Sequence, residues 1–365
     1  MTTPMSLKKY TVCFAYIFLG FLGALTITEV ILHITDTNDY EKITNDSISG
    51  LLRYRPNSSF IEASSCFQNN VSINNDGFHA NTFPRSKIPG TFRVVIIGGS
   101  FVEAKQVPID QMLSTKLESL LNSKPNKKYT YEVIPIGFSG NGTFLNLLYY
   151  MRYGSALKPD LVIDLTTEYE IGRNAPDALY APHFDSHGNL ITSLPKESQD
   201  SKTVLVKNMF RKSKLLMNMF NRYTLFKAAW ADFLSQLTFF TNVKNSSGAP
   251  STSNVLNSEW TIESKLLIEF NRRVQADRGQ FLVVSWASPD ASSSTAEALP
   301  EHLTQITAQA HFSYADLAPA IAVESQHTGK NPVWSCDNHW NSLGQQYAAE
   351  AIYLYLVDNP KLIEL

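Results

Sequence analysis

The sequence predicts an α/β fold on a parallel sheet, with an N-terminal transmembrane helix and a helical cap insertion. Three observations carry this reading. Short apolar runs rich in β-branched residues alternate with amphipathic segments, the order that strand–helix–strand units impose. A long uncharged run lies close to the N-terminus. Between residues 175 and 258 the alternation stops and a polar stretch studded with Met and Phe takes its place. The 365 residues are 44% hydrophobic and 18% charged, enough apolar material for a sizeable core. Net charge is −2 with no basic stripe, which argues against a nucleic-acid partner, because nothing gathers phosphates.

At the N-terminus, Lys8 and Lys9 precede an uncharged run over residues 10–28. Nineteen residues at helical rise nearly match a hydrocarbon core of about 30 Å. Glu29 interrupts, and residues 30–34 extend the apolar character. A cleaved signal peptide is the competing reading. The run exceeds the usual apolar region of such a peptide and no A-x-A-like site closes it, so an uncleaved anchor over residues 1–35 is expected. Lysines before the span and Asp36, Asp39 and Glu41 after it put the N-terminus in the cytoplasm and the rest outside, in the periplasm of a Gram-negative cell.

Residues 36–90 are polar and irregular and read as a linker and extended lead-in. From 91 to 358 a domain follows. "TFRVVII" (91–97) predicts a strand covered on both faces, and "DQMLSTKLESLLNS" (110–123) an amphipathic helix. "YEVIPIG" (131–137), "TFLNLLYYMRYGSAL" (143–157) and "PDLVIDLT" (159–166) continue as strand, helix, strand. Residues 175–258 read as a cap insertion, with one or two helices in the stretch "VKNMFRKSKLL…" and a flexible "KNSSGAPSTSN" at 244–254. The rhythm resumes with a helix over 260–279, a strand over 280–288, a short strand within 312–321 and a closing helix over 341–358. Cys13 falls in the span; Cys66 and Cys336 lie where disulfides persist, and a bridge between them is left open by the sequence.

Three stretches bear chemistry. "VVIIGGSFVEA" ends a strand in Gly98 and Gly99 and presents Ser100, a nucleophile or a simple turn. "GFSGNGT" (137–143) follows the next strand with three glycines, whose backbone N–H groups suit a developing oxyanion. "SCDNHWNSLG" holds Asp337 two residues before His339. A carboxylate there can take the Nδ1 proton and leave Nε2 as a general base, with Asn341 or Ser342 capping the helix behind. His183, Asp185 and His187 have a metal-like spacing but lack a third ligand type and read as loop. Asp164 and Glu168 fall on one short strand segment, an unsuitable pair for glycoside hydrolysis. "GGSFVE" lacks the later glycine of a dinucleotide fingerprint.

In this order the pieces resemble the SGNH (GDSL-type) hydrolase family. Its G-D-S motif is Gly98, Gly99 and Ser100 here, its oxyanion glycine corresponds to Gly140, and "DNHW" is similar to the D-x-H-W of membrane-linked acetyl-transfer branches. The lead-in "INNDGFHANTFPRSKIPG" resembles that of anchored bacterial members. The resemblance covers roughly residues 70–175 and 260–358. It implies a three-layer α/β/α, flavodoxin-like sheet and a Ser100, His339, Asp337 triad with no metal or organic cofactor. The expected activity is that of a membrane-anchored serine esterase on carboxylic or O-acetyl esters. The alternatives are an O-acyltransferase of extracellular glycans, or a degenerate scaffold that binds a glycan or partner. The chain departs from the family twice. Gly99 replaces the aspartate of G-D-S, and "DLTTEYEIGRN" offers Tyr169 and Glu170 where an asparagine is usual, with Asn174 the first one available. The oxyanion hole then rests on Ser100 and Gly140 N–H, with Asn141 or Tyr169 as the substitute.

Overall fold

The computed structural model describes residues 7–35, 42–125, 128–174, 181–192, 213–216, 219, 252–288 and 294–363. The chain divides into two compact units, Met1–Lys42 with Lys196–Gly248, and Ile43–Pro195 with Ala249–Leu365.

In the first unit, α1 (Leu7–Thr35) contains a segment, Val12–Thr35, long and apolar enough to cross a membrane, with none of it buried. Its 24 residues span about 36 Å at helical rise. Glu29 does not point to an empty surface. Its carboxylate accepts the Ser213 hydroxyl (2.9 Å) and the N–H groups of Lys214 (2.8 Å) and Leu215 (2.9 Å), where a helical turn begins. Most of the expected cap helices lie outside the described residues.

The second unit is organised by five parallel strands: β5 (Thr91–Gly98), β6 (Thr130–Gly137), β7 (Leu161–Thr167), β10 (Gln280–Trp286) and β11 (Ser313–Asp316). Their spatial order is β11-β10-β7-β5-β6. In chain order this is 2-1-3-4-5, the doubly wound flavodoxin-like arrangement the sequence predicts. Residues 94–97 are wholly buried, yet alternate residues enter different cores. Val95 and Ile97 pack with α4 (Thr143–Tyr149), α6 (Thr252–Ala276) and α7 (Ser294–Ala310). Val94 and Ile96 pack with α3 (Leu113–Asn122) and α9 (Ser342–Asp358). Period-two geometry thus builds three layers, and each such side chain contributes about 1.5–3 kcal/mol on burial.

The lead-in is more structured than expected. β1 (Ile43–Asn45) pairs with β2 (Leu52–Tyr54), and β3 (Ser59–Ala63) with β4 (Gln68–Ser72), all antiparallel. Leu51, Tyr54, Phe60, Val71, Ile73 and Phe78 enter the same core as Val95 and Ile97. Strands of three to five residues separated by polar turns leave little periodicity to read.

Other differences are local. A short helix α2 (Ser100–Glu103) starts at Ser100 itself, ahead of the helix expected over 110–123, which is α3. The helix expected over 143–157 is α-helical only to Tyr149 and then widens and tightens before Leu157. β11 stops at Asp316, whose Oδ1 accepts the Ala318 N–H (3.1 Å), and Pro319 opens α8 (Ala318–Thr328), as proline favours the first helical turn. α6 begins at Thr252, inside the stretch read as flexible.

Candidate active site

β5 and β6 finish level, Gly98 being in register with Gly137, while β7, in register at Leu165, runs two residues further. β6 and β7 lie on opposite sides of β5, so Ser100 stands at the topological switch point, where open α/β sheets form clefts. Gly98 is required by close approach, since a Cβ there would lie 2.6 Å from Val102 Cγ2. Gly99 caps α2, its C=O accepting the N–H of Val102 (3.2 Å) and Glu103 (3.0 Å).

The tail of the chain supplies the partner. β12 (Val333–Trp334) and β13 (Asp337–Trp340) form a hairpin before α9. Residues two apart on a strand share a face, which puts Asp337 and His339 side by side. His339 Nε2 lies 2.7 Å from Ser100 Oγ, and Nδ1 2.5 Å from Asp337 Oδ1. A proton on Nδ1 leaves Nε2 as the acceptor for the Ser100 hydroxyl. Gln106 Nε2 donates to Asp337 Oδ2 at 3.4 Å. Trp340, facing the other way, is buried against Phe101 and Trp286, and Phe101 also supports the imidazole at 5.0 Å between ring centroids. Asn341 is the helix cap, its Oδ1 accepting from Leu343 (2.9 Å) and Gly344 (3.1 Å). A disulfide joins Cys66, in the β3–β4 turn, to Cys336, the residue before Asp337.

Donors converge at the same edge. The Ser100 N–H opens α2, where no intrahelical acceptor exists. It and the Gly140 N–H have no acceptor among the described residues. Gly140 has φ +91°, a conformation glycine adopts readily. The Asn141 N–H closes a turn onto Phe138 O (3.2 Å), and its side chain is buried with Nδ2 unpartnered. A buried amide donor without an acceptor costs about 1–3 kcal/mol, so the arrangement suits an acceptor that arrives with a ligand. Tyr169, the other candidate substitute, is 46% exposed. Asn174 is committed elsewhere, accepting the Phe144 N–H (3.1 Å) and donating to Glu263 (2.8 Å).

Sequence reading gave no role to the acids beneath this edge. Glu103 is buried and takes the Tyr54 hydroxyl (2.7 Å) and the Ser139 hydroxyl, tying lead-in, α2 and glycine loop together. Glu170, third residue of α5 (Glu168–Gly172), accepts the N–H groups of Gly99 (3.1 Å) and Thr167 (2.5 Å). Asp164 is wholly buried against Asn146 (2.9 Å) and Thr166, and Glu263 against Thr143 (2.6 Å) and Asn174. Burial pushes the carboxyl of Asp164 up to about 7, and those of Glu170 and Glu263 up to about 8, with Asp164 adding repulsion to both. Burial also raises Glu168. Apolar neighbours such as Ile163 and Leu165 place Asp164 in the sheet, but no local signal names the partners of these acids. Asp185 builds its own turn, accepting from His187 and Asn189 (both 2.8 Å).

No family model matches the chain, and no curated protein matches it. Solved structures do. An α/β hydrolase, LAE5, from the metagenome of Lake Arreo, Spain, is 13% identical over 75% of this chain and 97% of its own, with a TM-score of 0.42. The acetyl xylan esterase AlAXEase is 13% identical over 73% and 100%, at 0.41. A lipase/acylhydrolase from Enterococcus faecalis is 10% identical over 73% and 96%, at 0.41. At such identity and superposition the functional reading rests on this chain's own residues.

Proposed function

We propose that this chain is a membrane-anchored serine ester hydrolase of the SGNH (GDSL) type, acting on carboxylic esters such as O-acetyl groups. The observation that carries the reading is the continuous hydrogen-bonded row of Asp337, His339 and Ser100, set against three unpartnered donors. Ser100 Oγ attacks the ester carbonyl as its proton passes to His339 Nε2, and Asp337 holds the imidazolium in orientation. The oxyanion takes hydrogen bonds from Ser100 N–H, Gly140 N–H and Asn141 Nδ2, the last standing in for the asparagine absent after β7. Collapse breaks the ester C–O bond, and the alcohol leaves with the proton from His339. Water then attacks the acyl-serine, giving its proton to His339. The carboxylic acid departs as Ser100 regains that proton.

α1 serves as the anchor, with the catalytic unit on the outer side, an orientation in keeping with the flanking charges and the disulfide. The test is hydrolysis of p-nitrophenyl acetate by the full-length protein in detergent. Ser100→Ala and His339→Ala should each lower kcat by at least about 10³-fold. Equal rates in all three proteins reject the triad and favour a binding scaffold. Faster release when sugar hydroxyls are added, with acylated sugar as product, reassigns the chemistry to transfer.

A further inference from the structure

The turn that presents Ser100 is held by a residue from the helix that follows the neighbouring strand. α5 follows directly on β7, which runs two residues past its register with Gly98 at the end of β5. Thr167 and Glu170 make a capping box: the Thr167 side chain accepts the Glu170 N–H, and Glu170 Oε2 accepts the Thr167 N–H at 2.5 Å. That box needs only one carboxylate oxygen. The other, Oε1, crosses to β5 and accepts the Gly99 N–H at 3.1 Å. Glu170 is 3% exposed, and the same Oε1 would lie 2.4 Å from a Cβ at position 99. The acid thus occupies the volume that any side chain at 99 would need.

The consequence for Ser100 follows from peptide geometry. The Gly99 C=O is fixed by the N–H groups of Val102 and Glu103. In a planar trans peptide the Ser100 N–H points the opposite way, out of the helix start and toward the cleft. With Gly99 held at its N–H by Glu170 and at its C=O by α2, the turn carrying both the Ser100 N–H and Oγ has one arrangement. We propose that Glu170 is a positioning residue for the nucleophile turn, holding the Gly99 N–H and filling the side-chain space at 99, so that glycine is required there. The catalytic half of this inference rests on the role proposed for Ser100; the structural half does not.

The experiment is a double-mutant cycle in the full-length protein, with Gly99→Ala, Glu170→Ala and the double variant read by thermal unfolding and by p-nitrophenyl acetate kinetics. Any cost of the methyl group that does not involve Glu170 appears in both backgrounds and cancels. Gly99→Ala should lower Tm by about 5 °C or more in the wild-type background and by less than about a third of that in the Glu170→Ala background. Glu170→Gln keeps the size but has one acceptor for two N–H donors; kcat should fall about tenfold with KM within about twofold. If Glu170→Ala does not fold, Glu170→Ser, which keeps a short capping hydroxyl, replaces it in the cycle. Additive Tm shifts overturn the shared-space claim, and an unchanged kcat in Glu170→Gln overturns positioning. If the wild-type protein shows no Ser100-dependent turnover, the proposed function fails and the Tm cycle alone decides whether Glu170 holds the turn.

Discussion

Asp337 and Asp164 are both short acids on strands of the same unit, and both are hydrogen-bonded, yet they are set up for opposite work. Asp337 lies on a terminal hairpin, its side chain 24% exposed, with an imidazole as partner. Asp164 lies mid-strand at the centre of the sheet, in register with Ile97 and Val283, with no exposure and only Asn146 and Thr166 as partners. The first is open to water and paired with an imidazole. Exclusion of water makes a charge on the second expensive, and its carboxyl is raised to about 7. Exposure and the chemistry of the partner, rather than residue type, separate the acid of the proposed triad from one built into the core.

The sharpest way to break this comparison is to remove each charge at constant size. Asp337→Asn should lower kcat by about 10³- to 10⁴-fold by favouring the wrong imidazole tautomer, with Tm within a few degrees of wild type. Asp164→Asn should leave kcat within a few-fold. Steady-state kinetics beside thermal unfolding checks both, and a reversal of the two outcomes sinks the distinction.

Next in size is the disulfide that braces Asp337 from one residue away. Replacing Cys66 and Cys336 by serine removes a closure between residues 270 apart, worth about 5–6 kcal/mol by chain entropy, and denaturant unfolding should show a loss approaching that.

A smaller effect, spread over pH, distinguishes the buried acids. Asp164 and Glu263 keep their protons in the folded state to about pH 7 and 8, whereas unfolded carboxyls ionise near pH 4. The folded state therefore binds more protons between those limits. Stability is complete below about pH 4 with respect to these groups and is lost as pH rises to 7–8, by up to about 1.4 kcal/mol per pH unit per group. Unfolding measured from pH 5 to 9 should show this fall, and Asp164→Asn or Glu263→Gln should flatten it. A fall of equal slope in both variants assigns the pH dependence to other groups.

The smallest expected effect is at the cap. Asn341→Ala should cost about 1 kcal/mol, read by denaturant unfolding.

The same contrast explains what could be read from the sequence. The five sheet strands were legible because residues such as 94–97 and 161–163 are apolar without interruption, as burial on two faces demands. Ser100, Asp337 and His339 stood out because glycines and a D-x-H spacing are local signals, and the structure brings these three together. Glu103 and Glu263 were silent, and Glu170 was noticed only as a departure, because the partners of Glu103, Glu170 and Glu263 lie 49, 71 and 120 residues away. The short strands of the lead-in were equally mute, since three to five residues hold too few apolar positions to show a period.

The Cys66–Cys336 bond also sets the covalent topology of the chain. It makes a ring that contains every strand of the central sheet as well as Lys196–Gly248. One cut in that stretch opens the ring without freeing a fragment, so the piece bearing the serine stays chained to the piece bearing the histidine. Electrophoresis of nicked protein should then give one band without reductant and two with it.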